Sequence, residues 1–239
     1  MIKYIESKQN NKIKHAYSLR ESKFRRENKE FLAEGKKALE LALYAKNVKE
    51  IFTLKELKEV PSNITQYIVK KDVLDKIAIS GSPEGIVFIS QIVDRKPKTL
   101  NKVVYLDRVS DPGNVGTIMR TALAFNYDAL ILSDGCCDAY NEKTVSASKG
   151  AIFQLPILHG ELDAFRNGKT VIVSALADKA VDLDELKNDG PFILVLGNEA
   201  SGVKQEIIDS ADIVTKIQIS NIDSLNVAVA AGIFMNKLR

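Results

Sequence analysis

Tryptophan is absent from the 239 residues, and histidine and cysteine occur only twice each. Cys136 and Cys137 are adjacent, which suits neither a structural disulfide nor a tetrahedral metal site, so we expect free thiols in a reducing compartment. His15 and His159 each stand alone in the sequence. A metal centre and a serine–histidine pair are therefore not expected.

Long apolar runs are also lacking. No run approaches the roughly 20 residues that span a bilayer, and the basic N-terminal stretch has no hydrophobic signal core. We therefore expect a cytoplasmic protein without a membrane segment. The content of 45% hydrophobic and 27% charged residues is ordinary for a soluble globular protein of one or two domains.

Basic residues outnumber acidic residues in the first part of the chain but not in the second. Residues 1–95 contain 19 Lys and Arg against 13 Asp and Glu, a net charge of +6, whereas residues 96–239 contain 15 against 18, a net charge of −3. The basic residues are densest over residues 1–37, where aromatic residues interrupt them. This asymmetry indicates that the first part contacts a polyanion, although a solvated basic face would give the same count.

Periodicity divides the chain into two α/β parts. Over residues 1–95 it predicts an amphipathic helix at 36–45, a second helix at 72–77, and strands at 50–54, 66–69 and 85–90. The polar segment 93–101 contains Pro97 and is predicted to be a linker. We therefore expect a small domain over residues 1–95 and a second domain over residues 96–239.

The second part alternates short apolar strands with helices. Strands are predicted at 102–106, 129–132, 152–155, 171–174 and 192–196, with a helix over 114–125 and a polar loop over 138–149. This alternation is typical of a parallel sheet covered on both faces. Ligands of such sheets bind beyond the carboxyl ends of the strands, so polar residues that follow strands are candidate site residues.

Three polar clusters follow predicted strands. DRVSDPGNVGTIMR, residues 107–120, combines a strand end, a Pro-Gly turn and a helix start that favours an anion. LGNEASG, residues 196–202, has glycines that let a loop wrap a ligand, and Glu199, for which Arg120 is the candidate partner. SLN, residues 224–226, suits a neutral polar substrate. Turns and helix caps would explain each cluster alone, but a parallel sheet would bring all three together.

The third cluster begins the last helix of the chain. Residues 217–235 are predicted to form a short alternating strand, a polar turn capped by Asp223 or Ser224, and a helix with almost no charge. Such a helix has no solvent-facing stripe and must be covered on most sides.

The three clusters, in this order, resemble the signature motifs of the SpoU (TrmH-like) family of RNA ribose 2′-O-methyltransferases. The resemblance extends over about residues 103–234. The first ninety residues are similar to the family's substrate-binding domain through SKQN at 7–10, FLAEG at 31–35 and SPEGI at 82–86.

The resemblance implies an α/β protein: a parallel-sheet catalytic domain with a C-terminal trefoil knot, preceded by a small α/β RNA-binding domain. It also implies a homodimer and the cofactor S-adenosylmethionine. The residues it implies for cofactor binding are Leu196, Gly197, Ile217, Ile219 and Leu225. Ribosomal RNA is favoured as the substrate over transfer RNA, and the rival hypothesis is a non-catalytic RNA-binding or ribosome-assembly protein of the same fold.

The family's site residues fall on Asn114, Arg120, Glu199, Ser224 and Asn226, and the resemblance favours Arg120 as the catalytic group. Because arginine is a poor base, we expect Arg120 to act electrostatically, by gripping a phosphate and stabilising the developing oxyanion. Glu199 would orient Arg120 or hold the turn.

Basic residues of the first part are the predicted RNA contacts. They are joined by one lysine of the second part, Lys149. It lies three residues after Ser146, a position at which members of the family often have an arginine. These residues are Lys12, Lys14, Arg20, Arg25, Arg26 and Lys149.

Overall fold

The computed structural model describes residues 1–80, 84–177 and 179–239. Its elements fall into two units, one formed by Met1–Val93 with Tyr140–Gln154 and the other by Asp94–Ala139 with Leu155–Arg239. The predicted boundary at residues 95 and 96 lies near the first division, but Tyr140–Gln154 groups with the first unit instead of the second. Part of the SPEGI motif, residues 82 and 83, lies outside the described residues.

The first unit is built on a mixed sheet with the strand order β1-β4-β3-β5-β2. Strand β5 runs antiparallel to β2 and β3, and the other neighbouring strands are parallel. Its elements up to residue 93 are β1 Ile2–Ile5, α1 Asn11–Ser18, α2 Ser22–Asn28, β2 Glu30–Glu34, α3 Lys36–Tyr44, β3 Val48–Thr53, β4 Thr65–Val69, α4 Lys71–Ile77 and β5 Ile86–Gln91.

The second unit is built on a parallel sheet with the strand order β10-β12-β9-β11-β6-β7-β8, which confirms the predicted architecture. The remaining elements, of which α6 belongs to the first unit, are β6 Lys102–Asp107, α5 Pro112–Ala124, β7 Ala129–Leu132, α6 Glu142–Ser148, β8 Ile157–His159, β9 Thr170–Ser174, β10 Val181–Asp182, β11 Phe192–Gly197, α7 Gln205–Asp209, β12 Ile213–Lys216 and α8 Val227–Lys237.

The central strands β6 and β11 explain where the second unit has its core. They are adjacent in register, and nearly every residue of both is buried. Alternate side chains face a core of Val103, Tyr105, Ile193 and their neighbours. Helix α8, which is nearly free of charge, packs one side against α5 and β11, so part of the expected cover lies within the chain. The carboxyl ends of β6 and β11 consequently carry the first two motifs side by side.

Three local predictions were wrong. The strand predicted at 152–155 is a 3₁₀ turn, Ala151–Phe153, because Phe153 packs between Phe31 and Phe88 of the first unit, with ring centroids 5.9 and 6.0 Å away. The loop predicted at 138–149 contains α6. The last strand is β12 at Ile213–Lys216, not a segment after Ile217.

No helix of the described residues is long and apolar enough to span a membrane. Neither Cys136 nor Cys137 is part of a disulfide in the described chain. Burial raises the pKa of the Cys136 thiol, despite hydrogen-bond contacts that lower it.

Candidate active site

An amide relay, defined as Glu199, Asn114 and Asn226, joins the three motifs. Asn114 donates from Nδ2 to Glu199 Oε1 at 2.9 Å, and Asn226 donates from Nδ2 to Asn114 Oδ1 at 3.0 Å. Each residue of the relay comes from a different motif. The expectation that the sheet brings the three clusters together is therefore confirmed.

The N-cap of α8 fixes the direction of the hydrogen bonds in the relay. Asn226 accepts from the backbone N–H groups of Ala228 and Val229 at 2.9 and 3.3 Å and is the N-cap of α8. The predicted caps, Asp223 and Ser224, do not serve this role. Because a carboxylate only accepts hydrogen bonds, Asn114 must turn its NH₂ group to Glu199 and its carbonyl oxygen to Asn226. Every donor and acceptor along the relay is then matched.

Glu199 also holds the turn before α5. Its carboxylate accepts from the backbone N–H groups of Ser110 and Asp111 at 3.5 and 3.4 Å, and from Asn198 Nδ2 at 3.4 Å. These are long, weak bonds around an exposed side chain. The predicted pair between Glu199 and Arg120 is not formed, so Glu199 takes the second of its two predicted roles.

Arg120 and Ser224 lie outside the relay. Arg120 is exposed on α5, and its side chain makes no hydrogen bond or ion pair with the part of the chain that the structure describes. Residues 114 and 120 are six apart on one helix, which places their side chains about 120° apart around its axis. Ser224 is exposed and likewise makes no hydrogen bond among the described residues. The structure thus unites three of the five predicted catalytic residues.

The predicted cofactor residues surround a segment with free backbone groups. Over residues 218–225 no backbone N–H or C=O bonds to another backbone group of the described chain. Ile217, Ile219 and Leu225 are half-buried beside these groups. Apolar side chains next to unpaired donors and acceptors fit an adenosine moiety, which has an apolar face and polar edges. Leu196 differs, because its side chain is buried in the core, so only its backbone is available.

Asp107, the last residue of β6, belongs to the first predicted cluster, but the sequence assigned it no role. Its carboxylate is fully buried and accepts from Arg108 Nε and Nη2 at 3.0 and 2.8 Å and from the backbone N–H of Lys204 at 2.8 Å. The hydrogen bond to Asp107 raises the pKa of Arg108. A buried carboxylate requires such partners, and the signal in the sequence was an Asp-Arg pair at the end of an apolar strand.

Arg108 and Asn198, which also lie in the predicted clusters without a predicted role, fasten the loop that carries Glu199. Arg108 has a left-handed φ of 56°, which turns its carbonyl oxygen to accept from Asn198 Nδ2 at 2.8 Å. Asn198 Oδ1 in turn accepts from the backbone of Ala200 and Ser201 at 3.0 and 3.1 Å. Local strain at Arg108 is thus compensated by bonds that set the shape of the loop.

Two of the predicted RNA contacts serve the first unit internally. Arg25 is buried and donates from Nη1 to the carbonyl oxygens of Leu19 and Arg20 at 2.8 and 2.6 Å, which lack partners where α1 ends. The assignment of Arg25 to RNA is therefore corrected. Lys12 donates to the buried carboxylate of Glu50, and this hydrogen bond raises the pKa of Lys12.

The other predicted RNA contacts are more accessible. Arg20 is half-buried and donates from Nη2 to the carbonyl oxygen of Ala78. Lys14, Arg26 and Lys149 are exposed, and none of their side chains bonds to another described residue. All three belong to the first unit, because that unit includes Tyr140–Gln154. Lys149 directly follows α6 and has a left-handed φ of 48°.

Comparison with known proteins finds matches over nearly the whole chain. A model of the SpoU rRNA Methylase family matches residues 101–236, and one of the MRM3-like substrate binding domain matches residues 10–87. The chain is 32% identical to the 23S rRNA (guanosine(2553)-2′-O)-methyltransferase of Bacillus subtilis, with 100% of both chains covered.

Solved structures show the same similarity. An S-adenosylmethionine-bound rRNA methyltransferase from Sinorhizobium meliloti has a TM-score of 0.89 at 30% identity, covering 99% of this chain and 97% of that one. A putative RNA methyltransferase of the TrmH family from Porphyromonas gingivalis has a TM-score of 0.85 at 27% identity, covering 97% and 98%.

Proposed function

Because the chain belongs to the SpoU rRNA methylase family, we propose that it transfers a methyl group from S-adenosylmethionine to a ribose 2′-hydroxyl of ribosomal RNA. The amide relay carries this proposal, because it unites the three family motifs beside a segment with free backbone groups. The Bacillus subtilis relative, which the chain matches over its full length, favours ribosomal over transfer RNA.

The cofactor would be held by the backbone at Gly197 and by the half-buried side chains of Ile217, Ile219 and Leu225. When bound, S-adenosylmethionine supplies an electrophilic methyl group on a positively charged sulfur. The relay keeps the loop with Glu199 and the starts of α5 and α8 at fixed positions around this space. A fixed geometry matters because methyl transfer requires an in-line approach.

Arg120 is the residue proposed to act on the RNA. Its guanidinium has no partner among the described residues, so its donors remain available for a phosphate or for the ribose oxygen. Arginine remains protonated in proteins, so Arg120 would stabilise the developing oxyanion by charge and hydrogen bonding and would not itself take up the hydroxyl proton.

We further propose that the first unit, including Tyr140–Gln154, binds the RNA substrate. Support comes from the exposed, unpaired Lys14, Arg26 and Lys149 and from the match to a substrate-binding domain. We place the protein in the cytoplasm, where ribosomal RNA is accessible.

A trefoil knot and a homodimer complete the proposal. The knot is supported by the sheet order, in which β12 lies beyond β9 while the following helix α8 returns to pack against α5 and β11. The dimer is supported by Val229 and Ile233, which lie one turn apart on α8 and are 53% and 40% exposed. A second copy would cover this apolar stripe.

The enzymatic proposal is tested with purified protein, labelled S-adenosylmethionine, 23S rRNA and bulk transfer RNA. We expect cofactor binding by calorimetry and methyl incorporation at a ribose of the 23S rRNA. Incorporation into transfer RNA alone would support the tRNA alternative. No cofactor binding would support a non-catalytic RNA-binding protein.

The dimer is tested separately by light scattering after Val229→Glu, with Lys187→Glu at an exposed site outside α8 as the control. We expect a monomer for the first variant and a dimer for the second. A monomeric wild-type protein would refute the dimer.

A further inference from the structure

Tyr17 is an exposed aromatic residue on α1 with two cations near its ring. The residue is 46% exposed, Arg20 Cζ lies 5.2 Å from its ring centroid, and Lys76 Nζ of α4 lies 5.5 Å from it. Lys14, which is exposed and three residues earlier on α1, shares this face of the helix. One accessible ring thus lies beside two cations and on the same helix face as a third.

Two of these cations lack a counter-charge. Lys76 donates to the carbonyl oxygen of Lys8 at 3.2 Å, and neither Lys76 nor Lys14 has a carboxylate partner among the described residues. Arg20 forms a salt bridge with Glu142, whose Oε2 atom is 3.7 Å from Nε, and these two atoms form no hydrogen bond. The charge of Arg20 is therefore partly compensated, whereas an anion bound beside the two lysines would be stabilised.

The support under Tyr17 is rigid. Ile13 and Ala16 of α1 are buried in one core cluster with Val73 and Ile77 of α4, so the two helices hold Tyr17 and Lys76 at a fixed separation. A preformed surface of this kind binds without a large entropic cost of ordering.

We propose that Tyr17, with Lys14, Arg20 and Lys76, binds an unpaired nucleotide of the RNA substrate. The base stacks on the tyrosine ring, and the flanking phosphates lie against the cations. In base-paired RNA the phosphates can still contact the cations, but no base has a free face that could stack on Tyr17. The site therefore selects RNA with a loop, bulge or single-stranded end. The inference rests on the proposed function in assuming an RNA substrate.

Exposure alone does not distinguish Tyr17. Tyr44 is 85% exposed and Tyr4 is 77% exposed, yet neither has a cation over its ring in the described part of the protein. Both tyrosines belong to the first unit and provide matched controls for removal of an exposed ring.

The test measures the affinity of the full-length protein for two RNA probes of equal length, a perfect duplex and a hairpin with an unpaired loop. We expect Tyr17→Ala to weaken loop binding about 5- to 150-fold, the loss of one stacked base, with little change for the duplex. Tyr17→Phe should bind like wild type, and so should Tyr44→Ala. Lys76→Gln should reduce the slope of log affinity against log salt concentration for both probes, by about the amount expected for one lost phosphate contact.

The inference is overturned if Tyr17→Ala binds the loop as tightly as wild type, or if it loses loop and duplex affinity equally. Unchanged circular dichroism and cofactor affinity would exclude misfolding in either case. Failure of the proposed function has a different signature, because the wild-type protein would then methylate no RNA while its Tyr17-dependent preference for unpaired RNA persists.

Discussion

Gly197 lies at the end of β11, where the loop that carries Glu199 folds back on itself. A Cβ atom at this position would stand 2.3 Å from Gly202 C, 2.3 Å from Val203 N and 2.7 Å from Gly202 O. All three are backbone atoms, so no side-chain rotation can relieve the contact. For Gly197→Ala the two sides of the loop must therefore separate by about 1 Å.

This separation breaks defined bonds. Asn198 and Gly202 exchange two backbone hydrogen bonds of 3.1 and 2.9 Å across the loop. Losing both costs about 2 kcal/mol, and the remaining overpacking adds about 1–2 kcal/mol, for a total of about 3–4 kcal/mol. For a chain of this size, the melting temperature should fall by about 6–16 °C. A displaced loop should also lose the backbone contacts proposed for the cofactor.

Thermal unfolding followed by circular dichroism, and calorimetric titration with S-adenosylmethionine, test both consequences. Gly190→Ala is the matched control, since no atom lies within 4 Å of its added Cβ and its φ is not positive. Gly202→Ala is a second comparison, because it meets no atom but has a φ of 67°, so it should cost only about 1 kcal/mol. Wild-type melting and cofactor affinity in Gly197→Ala would refute the reasoning.

Three other changes separate the parts of the site and of the first unit. Asn226→Asp keeps an acceptor that caps α8 but cannot donate to Asn114, so we expect near wild-type melting and reduced methyl transfer, whereas Asn226→Ala should also lose about 1 kcal/mol of unfolding free energy. Arg120→Ala should abolish methyl transfer while calorimetry shows cofactor affinity within about twofold of wild type. Burial raises the pKa of Glu30, but hydrogen bonds from Lys49 and His15 outweigh burial and hold that pKa below its ordinary value. Its contribution to stability is therefore present above about pH 4.3 and is lost as pH falls through the lowered pKa, so the melting difference between wild type and Glu30→Gln should shrink below about pH 4. A melting difference that stays constant from pH 7 to pH 3 would contradict this assignment.

The periodicity of the sequence predicted most of the second unit. Strands predicted at 129–132 and 192–196 agree with β7 and β11 within one residue, because buried parallel strands appear as short apolar runs that polar turns interrupt. The same rule failed at 152–155. An apolar run of four residues indicates burial but not conformation, and here Phe153 is buried against aromatic residues of the first unit's sheet, in the unit to which Phe153 itself belongs.

Side-chain pairing was predicted less well than the positions of the motifs. Charge complementarity suggested that Glu199 pairs with Arg120, but the helical spacing of residues 114 and 120 allows only one of them to face the loop, and Asn114 does so. The prediction for Arg25 in the first unit failed for a similar reason, because sequence does not reveal which partner a charged side chain meets. A count of basic residues cannot reveal that the carbonyl oxygens at the end of α1 are within reach of one of them.

Residues that cap helices also build the site, and this dual use explains why three separate motifs act together. Asn226 caps α8 with its oxygen and holds Asn114 with its nitrogen, while Asp111 caps α5 by accepting from the backbone N–H of Asn114 at 2.8 Å. Any movement of one helix start relative to the other must break a cap bond or a relay bond. The carboxylate of Glu199 accepts hydrogen bonds but cannot donate them. Turning over the side-chain amide of Asn114 or Asn226 would therefore place two acceptors or two donors opposite each other. The free segment 218–225 is therefore held at both its carboxyl end and its neighbouring loop, which is the preorganisation that an in-line methyl transfer requires.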